Sequence, residues 1–222
     1  MRIAQRFVPF LLAGAAVMLA RAPLMIEAAP IESSMGVIQK IFYFHVPSAI
    51  MAFLAAFVCG GASAAYLWKR GKGADALAVA AAEMVVLFGF IVLFTGPLWA
   101  RKAWGVWWEW QDVRLTMTLV MWMIFVAYLL LRRFGGPGSE VLSAAAGLFG
   151  AALVPFVYVS VNYWRTLHPK TTVVNTLPPD MAFVLRWSMV GFLLLFVSLL
   201  IVRTQLELAR YRLEEAYAGL DD

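Results

Sequence analysis

Apolar residues fall in six long blocks, near residues 7–27, 47–68, 84–100, 115–131, 141–164 and 182–202, with shorter polar stretches between them. With its flanking aromatics, each block is long enough to cross about 30 Å of hydrocarbon as a helix. The pattern predicts an all-α integral membrane protein, a single six-helix transmembrane domain over residues 1–222. Three connections, 28–46, 101–114 and 165–181, are long and rich in aromatics. Two others, Lys69–Asp75 and Arg132–Glu140, are short and polar, the second containing Gly135, Gly136, Pro137 and Gly138. No internal repeat or low-complexity segment interrupts this plan.

Composition supports the bilayer. Apolar residues make up 63% of the 222 and charged ones 14%, with a mean hydropathy of +0.81, and a soluble domain so composed would expose sticky surface. Residues 7–20 resemble the core of a signal peptide, and Ala20 and Ala22 mimic its cleavage site. Pro23 follows at once, however, Arg21 interrupts, and the apolar run resumes at Leu24–Ile26. The expectation is an uncleaved first helix.

The net charge of +5 matters less than where the cations sit. Taking connections alternately, one side carries Arg2, Arg6, Lys69, Arg70, Lys72, Arg132, Arg133, Arg203, Arg210 and Arg212. The other carries Lys40, Arg101, Lys102, Arg114, Arg165 and Lys170, while Arg21 and Arg186 fall inside apolar blocks. The positive-inside rule then places both termini in the cytoplasm and the long aromatic connections outside. The tail, 203–222, has Leu206, Ala209, Leu213, Ala216, Tyr217 and Leu220 at helical spacing. It reads as a solvated extension of the sixth helix, with a docking surface for a cytoplasmic partner as the weaker alternative.

Several chemistries are excluded. The one cysteine, Cys59, lies mid-span, so there is no internal disulfide and no CxxC pair. The only glycine–lysine run is Gly71–Gly73, GKG, so the chain is not itself an ATPase. No arrangement of nucleophile and base supports an enzyme. The basic residues form no soluble cationic domain of the kind nucleic acid requires.

What remains is concentrated in Trp104–Thr116, WGVWWEWQDVRLT, which holds four of the nine tryptophans. On a helix, Trp104, Trp107, Trp108, Gln111 and Arg114 would share one broad face, with Glu109 and Asp112 opposite. A membrane aromatic belt marks both interfaces, whereas this cluster marks one. Both histidines belong to the same side: His45 within KIFYFHVPSA, beside Pro47 where a helix is expected to start, and His168 within SVNYWRTLHPK, beside Pro169. Trp99, Trp164 and Trp187 lie toward that side as well.

Two imidazoles, a slab of indoles and several cations suit haem. It has a wide apolar plane, an iron that takes two axial nitrogens, and two carboxylates. In this reading His45 and His168 approach the iron from opposite sides, the indoles pack on the ring, and Arg114, Arg165 or Lys170 pairs the propionates. A zinc site would need Glu109 and Asp112 to join the histidines. Histidines at helix ends favour a haem that is handed over rather than one held for electron transfer. A haem subunit of a quinol oxidoreductase and a small-solute permease stand as alternatives.

These segments resemble the CcmC family of membrane haem-handling proteins. The resemblance rests on the tryptophan-rich "WWD" stretch, on FHVPSA at Phe44–Ala49 and on NYWRTLH at Asn162–His168, and it runs from about Lys40 to the sixth block. It implies haem b carried as cargo at the periplasmic face of the bacterial inner membrane, with His45 and His168 as axial ligands. Trp104, Trp107, Trp108 and Trp110 would form the platform, and Asp112 and Arg114 would close the motif. It also implies delivery to a periplasmic haem chaperone, CcmE, beside the ABC transporter subunits CcmA and CcmB and the small membrane protein CcmD. One departure stands out. Gln111 separates Trp110 from Asp112, where the family pattern has them adjacent, so on a helix the tryptophans would be turned by one step relative to Asp112 and Arg114.

Overall fold

A computed structural model describes residues 2–164 and 166–219. Six helices account for most of them: α1 Arg2–Ala28, α2 Phe42–Lys69, α3 Lys72–Ala103, α4 Val113–Phe134, α5 Ser139–Tyr163 and α6 Pro179–Ala218. All six are long and apolar enough to cross a membrane. Short 3-10 turns at Val37–Ile41 and Thr171–Thr176 precede α2 and α6. Arg165, one of the cations expected near the propionates, and Leu220 of the tail lie outside the described residues.

The helices run longer than the apolar blocks because polar ends continue the same backbone. α3 begins at Lys72, twelve residues before its hydrophobic block, and the added turns (Ala76, Ala78 to Ala82) are buried. α2 starts at Phe42 and not at Pro47, since the preceding 3-10 turn feeds straight into it. Pro47 then lies inside the helix and costs the one bond its nitrogen would give to the Tyr43 carbonyl.

Lipid supplies no hydrophobic drive between helices, so close packing of small residues must do it. α2 packs along α3, and small residues of both helices, Ala52, Ala55 and Ala56 on one and Ala78, Ala81 and Ala82 on the other, are buried in a common core. Against α5 the approach is tighter still, for a Cβ on Gly60 would stand 2.5 Å from the Ala151 Cβ. α4 packs on α5, and α1 packs mainly on α6. Because the helices alternate in direction, the ends of α1, α3 and α5 and the starts of α2, α4 and α6 share one face. That face carries both histidines, and the other carries the basic connections.

At the basic face a polar cluster, buried at Asp75 and Arg132 and exposed at Lys72 and Glu215, ties the extension of α6 to the bundle. Asp75 accepts from Arg132 Nη2 at 2.7 Å and from the Tyr211 hydroxyl at 2.5 Å, Arg203 pairs with Glu83, and Lys72 pairs with Glu215. The tail is therefore helical as its spacing predicts, but one side of it, with Glu207 and Tyr211, is held against α3 and α4. Leu206, Leu213 and Tyr217 stay exposed. Replacing Asp75 by Ala would leave the buried Arg132 guanidinium with Glu140, 3.9 Å away, as its one acidic partner among the described residues, at a cost of about 3 kcal/mol. Thermal unfolding in detergent should show Asp75→Ala far less stable than Lys72→Ala, whose ion pair is exposed.

Candidate functional site

At the histidine face the helices spread around a cavity of about 860 Å³, within the size range of small-molecule and cofactor sites. Its wall is mostly apolar and is built from α2, α3, α4 and the α1–α2 and α5–α6 connections. His45 and His168 both border it, from positions 123 residues apart in the chain. The cavity descends between α3 and α4 to a floor where Trp122 lies across Gly89. There the Trp122 indole donates to the Val86 carbonyl at 2.9 Å, and a Cβ on residue 89 would meet the ring at 2.6 Å.

Each imidazole is held by a backing group that fixes its tautomer. Thr95 spends its hydroxyl proton on the Ile91 carbonyl, 2.7 Å away, so toward His45 Nδ1, at 2.9 Å, its oxygen accepts. Nδ1 of His168 lies 2.9 Å from the Pro169 carbonyl, which also can only accept. Both rings therefore carry their proton on Nδ1, and each Nε2 keeps a free lone pair. A hydrogen bond on the far ring nitrogen of this kind orients an imidazole toward a metal. Burial, with the Arg114 guanidinium nearby, pushes the His168 imidazole down to about 4, so the ring is neutral at physiological pH.

The tryptophan segment does not form the helix its spacing suggests. α3 stops at Ala103, Gly105 takes a positive φ of 80°, and Trp104 to Gln111 run as irregular chain until α4 begins at Val113. The indoles divide into two sets. Trp104 and Trp108 line the cavity with Trp99, and the Trp99 and Trp104 rings meet edge-on at 4.9 Å. Trp107 and Trp110 point outward, 57% and 70% exposed. Gln111 is absorbed in a surface turn, its amide donating to Glu109 Oε1 at 3.1 Å. The extra residue thus leaves the tryptophans unrotated relative to Arg114, because no helix connects them.

Asp112 is 2% exposed and does not border the cavity; it works behind the wall. One oxygen caps α4, accepting from the amides of Arg114 at 3.0 Å and Leu115 at 3.2 Å. The other reaches the α5–α6 connection, accepting from the Thr166 hydroxyl at 2.6 Å and the Leu167 amide at 2.9 Å. Thr166 in turn accepts from the His168 amide at 3.0 Å. With both oxygens engaged, Asp112 is not available to a zinc ion. Among the described residues no group of three or more His, Cys, Asp or Glu could hold a metal.

Two buried donors at the cavity, Arg114 Nη1 and Trp108 Nε1, have no hydrogen-bond partner among the described residues. Lys170 also borders it. Trp164 packs against Phe156 with the rings tilted by 58° and Trp187 donates to the Met18 carbonyl, so these two indoles serve packing. Sequence reasoning missed Thr95, Thr166 and Trp122. The signal for the first two was a hydroxyl close to a histidine or a motif, and only folding brings Thr95 to His45.

Fold and site together define a multi-pass membrane protein with an apolar, two-imidazole ligand cavity near one membrane face. The chain belongs to the CcmC family, whose model, described as heme exporter protein C, matches residues 1–218. A heme exporter protein C of Bradyrhizobium diazoefficiens is 34% identical over 93% of this chain and 81% of its own length. That of Escherichia coli K12 is 35% identical over 79% of the chain and 72% of its own. A Paracoccus denitrificans relative of the same description is 32% identical over 96% and 91%.

The Asp112 clip makes a sharp prediction. Asp112→Asn keeps a cap oxygen for α4 but presents an amide to Thr166 and Leu167, so amide exchange should quicken at Leu167 and His168 and stay slow at Leu115. Asp112→Ala should quicken both sets and lose about 1–2 kcal/mol through the cap alone. Hydrogen exchange followed by mass spectrometry separates the two patterns.

Proposed function

We propose that the chain takes haem b as cargo in cytochrome c maturation, holds it between His45 and His168, and gives it up to a partner. The observation that carries this reading is the pair of neutral imidazoles on one indole-lined cavity, each with Nδ1 tied back and Nε2 free. The relatives' description as heme exporters supports the same cargo. Bound haem would supply an iron for the two Nε2 atoms, a ring for Trp104 and Trp108, and carboxylates for the free donors.

Three features of the residues fit that cargo. Arg114 Nη1 and Trp108 Nε1 are buried donors that want an anion, which a propionate supplies. The apolar depth down to Trp122 suits the edge of the ring that has no carboxylates. Cys59, the one cysteine, is buried between α2 and α5, away from the cavity, so the cargo is held without a thioether bond and can leave.

We place the histidine face in the periplasm and both termini in the cytoplasm of a bacterial inner membrane, on the weight of basic residues at the opposite face. The exposed indoles of Trp107 and Trp110 form the rim on which a periplasmic haem chaperone, CcmE, docks. ATP hydrolysis falls to the ABC transporter subunits CcmA and CcmB, with CcmD as a small membrane partner, and the chain itself is a handler and not an enzyme.

Detergent-purified protein should show a low-spin, six-coordinate haem spectrum. His45→Ala and His168→Ala should each abolish or shift it; the same spectrum in both variants defeats the ligand assignment. Arg114→Leu should weaken haem retention by about 10- to 100-fold, the worth of a charge-assisted hydrogen bond. Trp107→Ala with Trp110→Ala should leave the spectrum alone and reduce co-purification of the chaperone. A pull-down quantified against bound haem checks that separation.

A further inference from the structure

Arg21 and Arg186 are explained by none of this. Both lie within membrane-crossing helices, both are exposed, and among the described residues neither has an acidic or hydrogen-bonding partner. A lone ionisable group in hydrocarbon is costly and asks for a partner. Here there are two, and the packing of α1 on α6 brings them together.

The register of that seam is fixed by three contacts. The Trp187 indole donates to the Met18 carbonyl at 2.9 Å. A Cβ on Gly191 would stand 3.3 Å from the Met18 Cβ, and one on Gly14 would stand 3.3 Å from Leu194 Cδ1. These set residue 18 against 187 to 191 and residue 14 against 194. In that antiparallel register Arg21 is level with Arg186.

They also share a side. The core-facing residues of α1 are Ala15, Ala22 and Ile26, and those of α6 are Leu185, Ser188 and Phe192. Helical spacing puts each arginine about 120° from the core-facing residues of its own helix, both on the flank turned away from the bundle. On α6, Phe183, Arg186 and Val190 form an exposed stripe at i−3, i and i+4; on α1, Val17 and Arg21 are exposed one turn apart. The nearest acids in sequence on those helices, Glu27 and Asp180, sit about 9 Å nearer the histidine face and about 120° around their helices.

Depth selects the occupant. Hydrocarbon about 30 Å thick, measured from Arg6 and Arg203 at the basic face, ends near Ile26 and Phe183. Arg21 and Arg186 lie about 5–8 Å inside that edge, within snorkelling reach of the headgroup phosphates. We propose that the α1–α6 seam is a binding site for an anionic phospholipid of the histidine-side leaflet. One phosphodiester accepts from both guanidiniums, and an acyl chain lies along Val17, Phe183 and Val190. Guanidinium suits this because its planar fork binds phosphate oxygens in pairs. A carboxylate on a neighbouring transmembrane helix would itself have to leave water to reach the same depth.

The test uses the full chain in vesicles of phosphatidylcholine and phosphatidylglycerol in equal parts, extracted in mild detergent, with retained lipid counted by mass spectrometry. Wild type should retain phosphatidylglycerol in excess over phosphatidylcholine. R21A/R186A should lose that excess, about thirtyfold, the worth of two interfacial cations. R21K/R186K should keep most of it, and the single variant Arg186→Gln should fall between. An excess that survives in R21A/R186A, or none in wild type, overturns the proposal. Displacement of the lipid by added inorganic phosphate would overturn it in favour of a soluble anion, and a carboxylate-bearing helix cross-linked at position 186 in place of lipid would do so in favour of a protein partner.

Discussion

Asp112 holds the histidine face together. Its two oxygens join segments that the chain separates by more than fifty residues: the start of α4, which carries Arg114, and the connection that carries His168. Without that carboxylate the cavity would have one rigid wall and one loose one. Neutral hydrogen bonds would be weaker here, since an ionised acceptor in a buried place gives bonds about twice as strong. The amides at the start of α4 add their partial positive charge, which attracts the carboxylate. A negative group at a helix start thus serves as cap and as tie.

The larger architecture was legible because lipid imposes it. Six apolar blocks must become six helices when no water is present to satisfy a bare backbone. Alternation then puts both histidines and most of the indoles at one end, whatever the packing. The tryptophan segment was not legible in the same way. Its spacing allows a helix wheel, yet Gly105 and the outward rings of Trp107 and Trp110 belong to a chain that leaves the bilayer and turns. Helical periodicity is a statement about residues that share a core, and these share only an edge. For the same reason the rotation expected of Gln111 on a helix does not arise, since it sits in an irregular turn.

The role of Asp112 was hidden for a different reason. Motif reading groups it with the tryptophans and arginine as a contact to cargo, since they are neighbours in sequence. Its hydrogen-bond partners, Thr166 and Leu167, belong to a stretch that carries its own motif, NYWRTLH. Two signatures that look independent along the chain are therefore one structural unit. The same holds for His45 and Thr95, a ring on α2 and a hydroxyl on α3 whose pairing depends on the close approach of two alanine-rich helices.

The two imidazoles differ in their mountings. His45 grows from a helix and leans on a second helix through Thr95, so its position is set by the packed bundle. His168 stands on irregular chain, steadied by its own neighbour's carbonyl and by a single carboxylate behind the wall. If the cavity's cargo is held between them as proposed, it would have a stiff support on one side and a hinge on the other. Release would then begin on the side of His168, where the chain can give, while the wall that carries His45 keeps its shape.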